Sequence, residues 1–100
     1  MIEVKNNTGQ VLFKIENNTL INNQGQELLF LDDGTVKNAG GRTLLTIKGK
    51  DAISIMDDKP IISCVDGNII NLSGQVIGKV EGATTQEEMT FGAGGYILLA

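Results

Sequence analysis

A sixteen-residue spacing between glycines constrains this sequence more than any other feature. Gly9, Gly25 and Gly41 are sixteen residues apart, and each follows an asparagine by three positions. The same Asn-x-x-Gly unit returns at residues 71–74, while residues 56–59 occupy the intervening slot without a glycine. A fixed period indicates repeated supersecondary units that bury their apolar surfaces against one another. We therefore predict one domain, residues 1–100, that contains five repeats: 2–16, 17–32, 33–48, 49–66 and 67–82.

Each repeat carries two turn signals. The Asn-x-x-Gly unit suits a type I turn ending in a left-handed glycine, with the asparagine side chain bonding the nearby backbone. A second signal follows each apolar stretch and favours type I′ hairpin turns, because Gly, Asn and Asp tolerate positive φ. The second signals are Glu16-Asn17-Asn18, Asp32-Asp33-Gly34, Lys48-Gly49, Asp66-Gly67 and Glu81-Gly82. This punctuation predicts about ten short strands and leaves no room for a helix of ordinary length within the repeats.

The strands contain apolar doublets where simple alternation would place one apolar and one polar residue. The doublets are Leu12-Phe13, Leu28-Leu29, Leu44-Leu45 and Ile61-Ile62. Successive strand residues point to opposite faces, so a single sheet in water would expose one of these rows. We therefore predict an all-β fold of five hairpins in a pseudo-five-fold radial or closed arrangement. One row would face the axis and the other a neighbouring hairpin.

Residues 83–100 depart from the repeat and form a tail. Thr85 and Glu88 match a capping box and Gly92 is a plausible stop, which predicts a short helix at residues 85–91. The run Gly92-Ala93-Gly94-Gly95 is interpreted as a flexible joint and Tyr96–Leu99 as a final apolar strand. A free apolar segment would be a liability, so we expect the strand to dock in its own core or, less favoured, against another subunit.

The repeated unit Gly-x-Ile/Val-x-Asn-x-x-Gly-x-x-Leu/Ile-x-x-Ile/Val, closed by an apolar tail, resembles the bacterial five-fold β-flower proteins. The resemblance covers nearly the whole chain and is strongest at residues 67–80. It is poorest in the fourth repeat, where Asp58-Lys59-Pro60 replaces the glycine slot. The resemblance implies five hairpins around a pseudo-five-fold axis and carries over no catalytic residues.

The composition removes several classes of function. The chain has no histidine and one cysteine, which excludes Ser-His and Cys-His pairs, histidine-based zinc sites and an internal disulfide. With 8 basic and 12 acidic residues, it lacks the positive field that nucleic-acid binding uses. No apolar run approaches the ~20 residues of a membrane span, and no secretory pattern opens the sequence. We expect a cytoplasmic protein with no cofactor and no nucleic-acid or membrane partner.

Acidic turns are the candidates for a cation site. If the second turns share one rim, their carboxylates would form a ring that could take calcium, which prefers clustered oxygens. The acidic members are Glu16, Asp32 or Asp33, Asp66 and Glu81, interrupted by Lys48. The alternative is a set of solvated turns, and the same alternative applies to the pairs Asp32-Asp33 and Asp57-Asp58 considered as general acid and base.

Other candidate residues each have a structural alternative. The turn asparagines could converge on a sugar-like ligand, or they could simply stabilise turns. Cys64 has no neighbouring histidine to lower its pKa, which favours a core position over a nucleophile. The serines lack a candidate base. These residues are Asn6, Asn22, Asn38 and Asn71, and Ser54, Ser63 and Ser73.

The missing catalytic chemistry favours a non-enzymatic structural or protein-interaction module. Its partner would be an unidentified protein or a second copy of the chain. The alternative is a small-ligand (sugar-like) or weak cation binder at a rim of the hairpin ring. We predict no catalytic, cofactor-binding or metal-binding residues.

Overall fold

Ten antiparallel strands close into a barrel around one C-terminal helix in the computed structural model, which describes residues 1–100. Each strand pairs with its neighbours in the chain, and β1 pairs with β10 to close the ring. The elements are β1 (Ile2–Asn6), β2 (Val11–Glu16), β3 (Thr19–Ile21), β4 (Glu27–Asp32), β5 (Thr35–Asn38), β6 (Thr43–Lys48), β7 (Asp51–Ser54), β8 (Pro60–Val65), β9 (Asn68–Ile70), β10 (Val76–Glu81) and α1 (Gln86–Leu99). The prediction of an all-β, closed arrangement of five hairpins is confirmed.

The connections alternate between two ends of the barrel. The β1–β2, β3–β4, β5–β6, β7–β8 and β9–β10 turns lie at one end, here called the asparagine end. The remaining turns and the segment from β10 into α1 lie at the other, the acidic end. At the acidic end, both central residues of the β2–β3 turn, Asn17 and Asn18, have positive φ (51° and 60°), as type I′ requires. Asp33-Gly34 and Asp66-Gly67 repeat this geometry, which confirms the prediction for these three turns. It is wrong for the other two: only Gly49 has positive φ in the β6–β7 turn, and Glu81-Gly82 leads from β10 toward α1 rather than into a hairpin.

Four turns at the asparagine end share one hydrogen-bond pattern. In the first, Asn6 Oδ1 accepts from the backbone N–H groups of Thr8 and Gln10, both at 3.0 Å. Gly9 adopts φ 85° and donates to the Asn6 carbonyl at 3.1 Å. Asn22, Asn38 and Asn71 make the same bonds. The asparagines therefore build the turns, as their spacing predicts.

The fourth turn at the asparagine end has a similar geometry with different residues at the Asn and Gly positions. Ser54 takes the asparagine position, and its Oγ accepts from the Met56 N–H at 3.3 Å. Asp58 takes the glycine position, with φ 58°. Asp58 lies seventeen residues after Gly41 and sixteen before Gly74, so one inserted residue accounts for the shift in the repeat.

A β-bulge in every repeat explains the apolar doublets. The pairing between the two strands of each repeat shifts by one residue, for example where Val4 pairs with Phe13 and Lys5 with Val11, which leaves Leu12 unpaired. The other extra residues are Leu28, Leu44, Ile61 and Ile77. The second member of each of the four predicted doublets lies in the core, and the first is a partly buried bulge residue packed against it.

The tail is a single helix, longer than predicted, and the predicted final strand is absent. Helix α1 begins with the expected capping box of Thr85 and Glu88 and continues through Leu99. Its 14 residues span about 21 Å, close to the 23 Å shortest extent of the molecule. Every residue from Thr90 to Gly95 is buried, so this stretch lies within the barrel. The run of residues 92–95 is thus buried helix rather than a flexible joint.

Small residues let the helix backbone approach the strands. A Cβ on Gly92 would lie 2.7 Å from Val80 Cγ2, and one on Gly94 would lie 2.9 Å from Leu45 Cδ1. A Cβ on Gly95 would overlap Leu20 Cδ1. Glycine is a poor helix former, costing about 0.8–1 kcal/mol relative to alanine, so the packing selects it here despite its propensity.

Tyr96 replaces a missing strand side chain near the asparagine end. The position that holds Phe13, Leu29 or Leu45 in other repeats is Gly78 in the fifth. A Cβ on Gly78 would lie 2.5 Å from the Lys5 carbonyl oxygen and 3.0 Å from the Tyr96 ring. The Tyr96 hydroxyl donates to the Ile77 carbonyl at 2.8 Å. The helix therefore completes the core of the fifth repeat.

The buried hydroxyl of Thr90 ties the helix to the acidic end. It donates to the Gly49 carbonyl at 2.7 Å and accepts from Gln86 Nε2 at 3.1 Å. We expect Thr90→Val to lower the free energy of unfolding by about 0.5–1.5 kcal/mol, the net value of one hydrogen bond, because the Gly49 carbonyl loses its donor. Urea denaturation measures the loss. Thr90→Ser keeps the hydroxyl and should lose much less; equal losses in both variants would contradict the assignment.

Candidate interaction surface

The barrel axis offers no cavity for a ligand. Phe91 and Ala93 are fully buried on the helix that occupies it, and the single cleft of the molecule lies elsewhere. The turn asparagines are distributed around the asparagine end, and the side-chain oxygen of each is engaged by its own turn. Sequence reasoning therefore located these residues but not a shared binding site.

The predicted acidic ring does not converge on a cation site. Its members do lie at the acidic end, but no three acidic or cysteine side chains come close enough together to hold a metal ion. Glu81 is instead engaged by Lys5 across the β1–β10 pair. Asp57 and Asp58 lie at the opposite end of the barrel from the ring, where Asp57 Oδ1 accepts from the Lys59 N–H at 3.2 Å.

The single cleft lies on the outside of the barrel at the β1–β10 seam. Its volume is about 210 Å³, and it has no hydrophobic lining residue. Glu81 hydrogen-bonds Lys5 and raises the pKa of that lysine, while Lys5 lowers the pKa of Glu81. Small-molecule sites are usually larger and mostly apolar, so this cleft has the character of a solvated ion-pair cluster. Its lining residues are Lys5, Asn6, Asn7, Gly9, Lys79 and Glu81.

Cys64 is a core residue of β8, as its sequence context predicts. Its side chain is fully buried, and burial raises the pKa of the thiol from 9.0 to about 11. The reactive form of cysteine is the thiolate, so this environment suppresses nucleophilic chemistry.

The raised thiol pKa predicts a loss of stability in alkaline solution. As pH rises through 9.0 the unfolded chain releases the thiol proton, whereas the folded chain keeps it until about pH 11. Ionisation therefore favours the unfolded state between these values and has no effect below them. We expect the free energy of unfolding to fall more steeply for the wild type than for Cys64→Val between about pH 9 and about pH 11. Denaturation at a series of pH values tests this, and parallel profiles would contradict it.

An apolar surface lies at the asparagine end, where the helix emerges from the barrel. The last helical turn exposes Ile97, Leu98 and Leu99, each by about two-fifths. Two turns at the same end add residues that are more exposed, notably Met56 at 86% and Leu72 at 74%. We define the apolar surface as Ile55, Met56, Leu72, Val76, Ile97, Leu98 and Leu99.

The apolar surface comes from the fourth and fifth repeats and the helix. At the position after the turn asparagine, the first two repeats carry Asn7 and Asn23. Their side-chain amides donate to neighbouring backbone carbonyls, those of Val76 and Val11. The third and fifth repeats carry Ala39 and Leu72 there, which cannot make that bond. The replacement of these asparagines by apolar residues was the one feature of the sequence that could have indicated an apolar surface here.

The two ends of the barrel differ strongly in charge when turn and strand-terminal residues are counted. The asparagine end has two basic and three acidic residues, a formal charge of −1. The acidic end, including the first helical turn, has two basic and eight acidic residues, a formal charge of −6. The apolar surface therefore lies on the end with little net charge.

Searches against protein-family models, curated proteins and solved structures gave no match. The helix of this protein is too short to span a bilayer. The function is therefore inferred from the apolar surface and the charge distribution of the two ends.

Proposed function

We propose that the protein is a non-enzymatic structural or interaction module that binds a protein partner through the apolar surface. The observation that carries the proposal is that Met56, Leu72 and the last helical turn are exposed together at the asparagine end of the barrel. A contiguous exposed apolar patch commonly marks a protein contact. The polar cleft at the β1–β10 seam and the buried thiol of Cys64 offer no comparable site.

We also infer membership of the five-fold β-flower proteins. Five left-handed turn positions, at residues 9, 25, 41, 58 and 74, support this assignment. Five bulges at equivalent positions support it as well. Such a symmetric scaffold positions turns, and function then depends on the residues that the turns carry.

Site-specific photo-crosslinking tests the interaction proposal. A benzophenone amino acid in place of Leu72 is expected to give protein adducts upon irradiation of intact cells, whether the partner is another protein or a second copy. The control replaces Val65, which is 37% exposed at the acidic end. Adducts at Leu72 and none at Val65 would support the proposal; no adducts at Leu72, or equal adducts at both, would overturn it.

A thermal-shift panel tests the alternative of ligand binding. We expect calcium and neutral sugars to leave the melting temperature unchanged, because the axis is filled and the rim carboxylates are dispersed. A saturable rise with either would instead favour the sugar-like or cation-binding alternative, because ligands that bind only the folded state stabilise it.

A further inference from the structure

The composition of the asparagine end indicates which partner the apolar surface binds, and this partner assignment rests on the proposed function. The apolar surface includes the last helical turn together with Met56 and Leu72. The charged residues of the same end are few and of both signs, with Arg42 and Lys59 opposed by Glu27, Asp57 and Asp58. An interface of this kind combines an apolar centre with a sparse polar rim, as protein–protein interfaces do.

The charge distribution favours a second copy in one orientation. Head-to-tail stacking would place the apolar surface against an end of formal charge −6, whose large exposed hydrophobic residues are confined to Met1 and Val65. Contact between two asparagine ends matches apolar with apolar and keeps the two acidic ends apart by about twice the 23 Å height. Among the end-to-end stackings, like-charge repulsion disfavours contact between two acidic ends, and the mismatch of apolar and charged groups disfavours the head-to-tail arrangement.

The available area is close to what a stable dimer needs. The two long extents of the molecule are both 31 Å, so an end approximates a disc of about 750 Å². A specific interface buries about 800 Å² on each partner. The apolar surface is also off-centre, because only the fourth and fifth repeats contribute turn residues to it, and a two-fold axis lets such a patch contact its own copy.

We propose that two copies of this chain dock face to face through their asparagine ends, about a two-fold axis. The last helical turns lie at the centre of the contact, where Leu98 of one copy faces the last helical turn of the other. Met56 and Leu72 pack at the periphery. Arg42 and Lys59 face the acidic residues of the other copy.

Analytical ultracentrifugation of the full chain tests the dimer. The wild type is expected to move from 10.7 kDa to twice that mass as its concentration rises from micromolar to submillimolar. Leu98→Lys should remain at 10.7 kDa, because a buried unpaired charge opposes association. Val65→Lys is the matched control: its residue is 37% exposed against 38% for Leu98, but it lies at the acidic end, and this variant should dimerise as the wild type does.

Several outcomes would overturn the dimer. These are a wild type that stays monomeric throughout, a Leu98→Lys variant that still dimerises, or a Val65→Lys variant that is equally monomeric. Far-ultraviolet circular dichroism checks folding, and Met56→Lys replaces Leu98→Lys if that variant does not fold, because Met56 is 86% exposed. A monomeric wild type whose Leu72 position crosslinks a different protein would overturn the dimer and leave the interaction module intact.

Discussion

Phe91→Ala is expected to cost the fold about 3–5 kcal/mol, the usual range for removing a fully buried phenylalanine. Phe91 is the largest fully buried side chain and lies on the helix at the centre of the barrel. Its removal would leave a cavity that ten strands surround, and a closed sheet cannot collapse readily around it. Since domains of this size are stable by about 5–15 kcal/mol, the variant would lose a large fraction of its stability.

Thermal and urea denaturation at fixed protein concentration measure the effect. The melting temperature should fall by about 12 °C or more, at about 4–8 °C for each kcal/mol. Phe30→Ala is the matched control, because Phe30 is half-buried on β4 and is not part of the core cluster. We expect a clearly smaller loss there. Equal losses at Phe91 and Phe30 would show that the helix does not fill the barrel.

Gly92→Val is expected to have the second largest effect, toward the upper part of the range of about 1–3 kcal/mol for overpacking. A Cβ on Gly92 would lie 2.7 Å from one methyl of Val80 and 3.3 Å from a methyl of Val4. Both neighbours are β-branched and have little rotamer freedom, so the helix itself would have to move. The gain in helix propensity on replacing glycine opposes this cost but is smaller than it.

Denaturation of three variants isolates the steric term. Gly92→Ala should lose less stability than Gly92→Val, because it adds one methyl group rather than three carbons. Gly40→Val controls for the change of residue type, since Gly40 is exposed in a turn and its Cβ would lie 3.4 Å from Asn38 Oδ1. A Gly92→Val variant as stable as Gly40→Val would contradict the close approach of helix and strands.

The turns could be predicted from the sequence because their chemistry is local. Asn6 bonds the backbone of Thr8 and Gln10 within its own turn, so the spacing of Asn and Gly carries the information. Positive φ at Asp33 and Gly34 likewise follows from the residues themselves. The hairpin count and the repeat boundaries followed from these turns.

The helix and the doublets could not be fully predicted because they depend on distant contacts. The run of residues 92–95 has poor helix propensity, and only the barrel around it makes the helix favourable. The doublets reflect bulges, which are set by pairing between strands rather than by alternation within one. One signal was present: Gly78 breaks the doublet pattern, which indicates that another side chain, here Tyr96, fills its place.

The candidate surface was less predictable than the fold. The sequence placed Tyr96–Leu99 together as a docked strand, whereas the helix buries part of Tyr96 and exposes the next three residues. A strand alternates its side chains between two faces, so it does not predict the three successive exposed residues that the last helical turn presents. The contribution of Met56 and Leu72 could be recognised only once the turns were known to share an end.

Residue-resolved amide hydrogen exchange at two protein concentrations tests the central claim most directly, namely that the helix fills the barrel and its far end is the contact surface. The amides of residues 91–95 should be among the slowest to exchange, opening only with global unfolding. Raising the concentration should add protection at residues 96–99 and in the turns around Met56 and Leu72, and none at the acidic end. Fast exchange at residues 91–95, or added protection confined to the acidic end, would contradict the account.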